Sequence, residues 1–482
     1  MSINNFDLII IGGGAGAFAA AIKASELKAK TLMVNKGLPL GGTCVNVGCV
    51  PSKTLLWAGE IMHQAKHHGI PGVELEIKNF DFARVVQYEL DLVAKLRAEK
   101  YEKVLSNLEN VTHLEGQAVF VSPNEIEVDP STSSSRGGQA GQGGKRYQAK
   151  KFIIAAGSTA TVPPIEGIKE TGYITHIEAL KLKQQPKELI VIGAGPVGLE
   201  FAQMYARFGT KVTVLHRGPS IFRGEEELIT RLTEILTEEG ISIKTNVQVK
   251  SARKEGDKKI VSYSINGKVE EVSGDEILLA AGKTPNTKGL SLDKAGVEIT
   301  DKQAVRVNEH FQTSQAHIFA VGDVTNLPIR QETTAGREGT LVAENALKDT
   351  QNSIDYNSVP WTIFTDPQLA GVGLTEEVQM EKFGTCMCKT VSFKDVPKAL
   401  ILNRTEGLIK MAIHPDTKQI MGVHILAPNA GELIAEAMML IKNKNTIDDV
   451  ANSLPMFPTL SESIKLVALS FTQDITKLSC CI

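Results

Sequence analysis

The chain has no long unbroken hydrophobic run, no excess of charge of one sign and little cysteine. Its longest apolar stretch, Leu8 to Ile22, follows Asp7 and is broken by four glycines. It is too short to span a bilayer and lacks the basic flank of a signal peptide. We therefore expect no membrane partner and a cytoplasmic protein. Lys and Arg number 52 against 55 Asp and Glu, a net charge of −3. Such a balance argues against a surface built for nucleic acid. Six cysteines in 482 residues, at 44, 49, 386, 388, 480 and 481, argue for catalysis or metal chemistry over a structural disulfide framework. The length exceeds one ordinary core, so several domains are expected.

What is present is organised around Gly41-Gly42-Thr43-Cys44-Val45-Asn46-Val47-Gly48-Cys49-Val50-Pro51-Ser52-Lys53. Two cysteines five positions apart stand where a helix begins. The unpaired amides and positive dipole end of a helix start favour thiolate over thiol. A zinc site would need further Cys or His in paired short spacings, and none follows nearby.

Upstream, a strand over residues 6–11 runs into Gly12-Gly13-Gly14-Ala15-Gly16-Ala17, which opens a small-residue helix through Ala24. Glycines at such a turn let the backbone reach a pyrophosphate, which then rests on the helix amides. A second copy begins with a strand over Glu188 to Ile192, followed by Gly193-Ala194-Gly195-Pro196-Val197-Gly198-Leu199-Glu200. The residue 23 positions after the first glycine is Asn35 in one unit and His216 in the other. Neither is acidic, and only His216 is followed by Arg217 and Arg223. Arginine can clamp a 2′-phosphate that a carboxylate would repel, so the second unit should prefer NADPH. From Ala58 to about Glu109 the spacing predicts long helices with a solvent face. Residues 131–147 are a Ser/Gly-rich insert that cannot bury a core, and we expect a disordered hairpin tip there.

The cysteine segment resembles the redox-active disulfide of the flavoprotein disulfide reductases, the group that holds glutathione reductase, lipoamide dehydrogenase and mercuric reductase. Lys151–Ser158 resembles the strand that closes the first lobe of that family's FAD domain, Ile277–Asn286 its return strand from the nucleotide domain, and Ile318–Val324 its second FAD motif. The segment from Val359 resembles its interface domain. The resemblance implies an α/β fold with two Rossmann-like domains, for FAD and NADPH, and an α+β dimerisation domain. The expected partition is 1–160 and 284–350 for FAD, 161–283 for NADPH and 351–482 for dimerisation. It further implies FAD contacts at Gly12, Gly14, Gly16, Ala17, Asn35, Gly42, Thr43, Lys53, Gly157 and Asp323. NADPH contacts fall at Gly193, Gly195, Gly198, Arg217 and Arg223, with Gly282 on the return strand. By the same carry-over Cys44 and Cys49 form the disulfide, Cys49 facing the flavin and Cys44 the substrate. Lys53 would pair with Glu200, and a homodimer would complete each active site from the partner chain.

Disulfide-cleaving members carry His-Pro-Thr with a downstream Glu near the C-terminus; this chain has Phe457-Pro458-Thr459 and Glu462. Phenylalanine moves no proton, and general acid–base help is worth typically 10²–10⁴-fold. The ending Ser479-Cys480-Cys481-Ile482 resembles the Cys-Cys tail of mercuric reductases, which passes Hg(II) to the redox pair. Thiolates choose soft metals. The leading reading is thus NADPH-dependent reduction of Hg(II), arriving as a thiol complex, with Cys44, Cys49, Cys480 and Cys481 as its ligands. A reductase of another small disulfide or thiol adduct is the second reading, and a non-enzymatic metal-binding flavoprotein the third. In that family the residue at Phe457 is commonly tyrosine. Many relatives begin with a metal-binding domain, whereas this chain starts at the FAD strand, so metal is expected to arrive by another route. Cys386 and Cys388 read as strand cysteines ahead of an accessory thiol site.

Overall fold

Val, Ile and Leu in unbroken runs favour strands buried on both faces, and the first such run does this. In the computed structural model, which describes residues 4–129 and 144–479, strand Asn4–Ile11 lies at the centre of a seven-stranded sheet. Leu8 and Ile10 face one core with Phe18, Ala21 and Val342, while Ile9 and Ile11 face another with Phe120 and Phe152. Thr31–Asn35, Val111–Glu115, Lys145–Ile154 and Ile318–Ala320 join in parallel around it. Strands Gln117–Ser122 and Glu125–Asp129 extend the sheet in antiparallel fashion.

Part of the insert expected to be a disordered tip is strand. Lys145, Arg146 and Tyr147 pair with Val128, Glu127 and Ile126, and Tyr147 is buried beside Phe6. An aromatic ring at an inward position outweighs the polar composition around it. Residues 131–143 lie outside the described residues.

The chain divides into two compact units. One runs to Ser52 and takes Val86–Thr161 and Gly282–Tyr356; the other takes Lys53–Val85, Val162–Ala281 and the chain from Asn357 on. The second unit holds a parallel sheet in the order Ser242–Lys244, Lys211–Leu215, Glu188–Ile192, Glu276–Leu279. It also holds an antiparallel three-stranded sheet over residues 248–274 and an antiparallel five-stranded sheet over residues 361–427. The α/β fold with two Rossmann-like sheets and an α+β segment is therefore present. Among the described residues no helix is long and apolar enough to cross a membrane.

Two glycines let helices Ala15–Glu26 and Glu332–Lys348 cross at backbone contact. A side chain on Gly339 would overlap the carbonyl of Gly16, and one on Gly16 would stand 3.1 Å from Val321 and 3.2 Å from the Ala335 carbonyl. We expect Gly339→Ala to destabilise the protein by about 1–3 kcal/mol, the usual cost of overpacking. A denaturation midpoint equal to that of the parent protein would show that the crossing has slack.

Candidate active site

The segment that carries Cys44 and Cys49 is fastened to the first glycine turn. Gly42 has φ +61, and a Cβ there would stand 2.6 Å from the Cα of Gly14. Gly41 donates its N–H to the Gly13 carbonyl at 2.8 Å. Only residues without side chains allow this approach. Gly13 in turn lies against the Asn35 side chain, whose Nδ2 donates to the Leu38 carbonyl at 2.9 Å.

Gly42–Val47 forms a short helix that breaks at Gly48, and a second helix, Cys49–His67, starts at once. Cys49 is therefore the first residue of a 19-residue helix, and Cys44 sits in the short one before it. Between them Asn46 is buried, its Nδ2 shared among the carbonyls of Pro39, Leu40 and Gly42 at 2.9–3.1 Å, its Oδ1 accepting from Arg97 at 3.2 Å. Both cysteines stand as thiols, Cys44 half-buried and Cys49 exposed. The Cys49 sulfur hydrogen-bonded to it pushes the Cys44 thiol up, with burial and the Glu332 carboxylate adding to the effect. The pair therefore releases its second proton less readily than its first.

Tyr101 completes this neighbourhood, and no sequence motif announced it. It lies in a π-helical turn, Ala98–Glu102, with its ring edge-on to Phe18 and against Gly41. Burial, then the charges of Cys44 and Glu332, push its phenol up to about 12, so it stays protonated. Irregular turns of this kind recur at functional positions.

In the same unit the short strand Ser158–Ala160 and the turn Gly322–Val324 meet through Ser158, which donates to Asp323 at 2.6 Å. The turn is held from behind by Glu338. Its carboxylate accepts the Gly322 N–H at 2.7 Å and the Tyr356 hydroxyl at 2.8 Å, and burial raises its pKa. Gly157 and Gly282 both have positive φ and open space where a side chain would stand.

In the second unit Lys53, four residues after Cys49 in the same helix, reaches Glu200 at 2.7 Å and lies 4.4 Å from the centre of the Phe364 ring. Glu200 is buried and also accepts the Phe364 N–H at 3.0 Å. The second glycine turn is equally tight. A side chain on Gly193 would overlap the Ala280 carbonyl, one on Gly198 would overlap Gly193, and Gly195 faces open space. His216 accepts the Ala194 N–H at 3.1 Å, and burial, then Arg217, keeps it neutral. Arg217 and Arg223 are exposed. Glu225, two residues on, is buried; it pairs with Lys410 at 3.1 Å and accepts the Glu376 N–H at 2.8 Å.

Phe457 is exposed, and Glu462 accepts the Thr459 N–H at 3.0 Å. Cys480 and Cys481 lie outside the described residues. Cys386 and Cys388, expected as plain strand cysteines, are joined as a disulfide. Only Cys388 belongs to strand Met387–Ser392; Cys386 stands just before it, and the two share a face because side chains in an extended chain alternate.

A model of the pyridine nucleotide-disulphide oxidoreductases matches residues 6–346, and one of their dimerisation domain matches residues 359–468. The chain belongs to the pyridine nucleotide-disulphide oxidoreductase family. Mercuric reductase of Staphylococcus aureus is 37% identical over 99% of this chain and 84% of its own length. Mercuric reductase of Streptomyces lividans is 37% identical over 99% of this chain and 98% of its own. Mitochondrial dihydrolipoyl dehydrogenase of Pisum sativum is 35% identical over 96% and 91%. Among solved structures, a Cu(II) complex of the HOCl-induced flavoprotein disulfide reductase RclA from Escherichia coli superposes with a TM-score of 0.85 at 26% identity, covering 98% of this chain and all of that one.

An oxidoreductase of this family uses FAD and a nicotinamide nucleotide. The residues present fit both groups. Helices Ala15–Glu26 and Pro196–Phe208 start at glycine N-caps that make no side-chain cap bond, which leaves first-turn amides to receive phosphate.

The Glu225 cluster makes a pH prediction. His424, 3.5 Å from Glu225, stays neutral because burial, then Lys410, pushes its pKa from 6.5 to about 4; Lys410 already meets the Glu225 charge. The unfolded chain thus binds the extra proton first, and stability is lost as pH falls from 6.5 toward 4. The loss should be on the order of 3 kcal/mol. His424→Phe should flatten that part of the stability–pH curve; an unchanged slope would assign the loss to other groups.

Proposed function

We propose that this oxidoreductase reduces thiol-bound Hg(II) to Hg(0) with NADPH, as a cytoplasmic homodimer. The balance is Hg(II) + NADPH → Hg(0) + NADP⁺ + H⁺. Overall similarity does not choose the substrate, since a dihydrolipoyl dehydrogenase is nearly as similar as the mercuric reductases. The observation that carries the reading is Phe457. Where disulfide-cleaving relatives keep a histidine backed by a glutamate, this chain has an exposed phenyl ring, and Glu462 is engaged with a backbone N–H. Disulfide cleavage must protonate a leaving thiolate; reduction of a soft cation needs ligand exchange and two electrons.

When bound, FAD supplies the two-electron link between the nicotinamide and the cysteine pair. Gly12, Gly14, Gly16, Ala17, Asn35, Gly42, Thr43, Gly157 and Asp323 would hold it, with Lys53 beside it. Gly193, Gly195, Gly198 and Gly282 would hold NADPH, with Arg217 and Arg223 on its 2′-phosphate. Cys44 and Cys49 bind Hg(II) through their sulfurs, the soft ligands that such a cation prefers. Tyr101 keeps a protonated phenol beside that pair, which Phe457 cannot supply. Lys53, held by Glu200, keeps a positive charge in place. Cys480 and Cys481 would deliver the metal to the partner's pair. The Cu(II) complex of the structurally similar disulfide reductase RclA favours a second reading in which Cu(II) or a small disulfide is the acceptor.

The flavin-loaded protein should oxidise NADPH with Hg(II) in excess thiol and not with glutathione disulfide, lipoamide or Cu(II). Cys480→Ala/Cys481→Ala should lower that rate strongly under thiol-rich conditions. Turnover with a disulfide or Cu(II) and none with Hg(II) would overturn the reading. Cys44→Ala or Cys49→Ala should abolish turnover while flavin stays bound; flavin loss in both would make the pair structural. Replacing Arg217 and Arg223 together should shift preference from NADPH toward NADH, and an unchanged ratio would remove the phosphate clamp.

A further inference from the structure

We infer that Cys386 and Cys388 form a second thiol centre, which in its reduced state chelates one soft two-coordinate cation such as Hg(II). The bridge encloses a single residue, Met387, with Cα atoms 5.8 Å apart. Stabilisation by a disulfide grows with the loop it closes, so this one is poorly suited to be a structural staple. It stands at the start of Met387–Ser392, an edge strand of the five-stranded sheet, where both sulfurs are only half-buried.

A second observation points to a ligand. Gln379 is fully buried on helix Glu376–Phe383, and its Nε2 is committed to the Ile413 carbonyl at 2.9 Å. That bond fixes the amide so that Oε1 points at the Cys388 sulfur, 3.7 Å away. An amide oxygen held against a sulfur is a ready acceptor for a thiol S–H and a weak third donor for a cation.

The donor set also selects the ion. Among the described residues no group of three or more His, Cys, Asp or Glu could hold a metal. Zinc, which takes four such ligands in structural sites, is therefore disfavoured. Hg(II) is satisfied by two thiolates in line.

Two molecules of a low-molecular-weight thiol open the Cys386–Cys388 bond; they leave as one disulfide, and their two protons pass to the cysteine sulfurs. A bis-thiolate Hg(II) complex then exchanges both ligands. Two Hg–S bonds form to the protein, two break, and the cysteine protons leave with the released thiols. The second exchange is intramolecular, which favours the chelate over monothiols at millimolar concentration.

The test uses flavin-loaded protein with Cys44, Cys49, Cys480 and Cys481 changed to Ser, reduced with glutathione and mixed with Hg(II) bis-glutathione. After gel filtration in millimolar glutathione, about one Hg(II) per chain should remain by the chelate argument. Adding Cys386→Ser or Cys388→Ser should remove it, with flavin content and melting midpoint unchanged. Zn(II) should not be retained. Retention no higher than in those serine variants, or retention of Zn(II) alone, would overturn the inference. The outcome is separable from the proposed turnover, because this protein lacks the redox pair and is read by bound metal.

Discussion

The contact on which the rest depends is the close approach of Gly42 to Gly14, backbone against backbone. It binds the segment that carries the two cysteines to the turn that is built to receive a dinucleotide. The Gly41 N–H to Gly13 bond and the three carbonyls gathered by Asn46 lock the segment in that position. A methyl group on Gly42 would stand 2.6 Å from the Gly14 Cα at a φ of +61, so the segment could keep this approach only by shifting. The break at Gly48 then lets one cysteine begin a new helix while the other lies in the turn before it.

The electrostatics within each unit follow one rule: charges taken from water are met at once. Lys53 meets Glu200, Asp323 receives the Ser158 hydroxyl, and Glu338 is spent on a backbone amide and a phenol. In the second unit Arg207 lies between Glu239 at 2.7 Å and Asp366 at 3.0 Å. Burial would raise Asp366, but Arg404 and Arg207 outweigh it and hold the carboxyl below its usual range. Breaking one partner of such pairs strands the other, which makes these positions sensitive even where they touch no substrate.

The glycine turns and their strands were legible in the sequence because each does one job that only glycine permits, and such positions repeat in order. Strand Asn4–Ile11 and its neighbours were legible because burial on both faces leaves an unbroken apolar run. Tyr101, Asn46, Glu338 and Phe364 were not. Tyr101, Glu338 and Phe364 meet partners well removed along the chain, and Asn46 joins nearby carbonyls to the distant Arg97, so none carries a local pattern. Lys145–Tyr147 reads as part of a disordered insert because low-complexity neighbours mask one inward-facing ring. The Cys386–Cys388 bridge was not legible because two cysteines on one face of an extended segment have no signature beyond their spacing. Glu225 shows the same limit in another form: a glutamate at a helix start reads as a surface cap, and its ion pair with Lys410 exists only once the sheet has formed.

The central claim is that electrons from the nicotinamide come to rest on the sulfurs of Cys44 and Cys49. It is tested most directly by counting thiols in flavin-loaded protein with Cys386, Cys388, Cys480 and Cys481 changed to Ser, first oxidised mildly and then given one equivalent of NADPH without oxygen. Two new thiols per flavin, both mapped to Cys44 and Cys49, are the predicted result. Full oxidation of the NADPH with no thiol gained at either position would contradict the account.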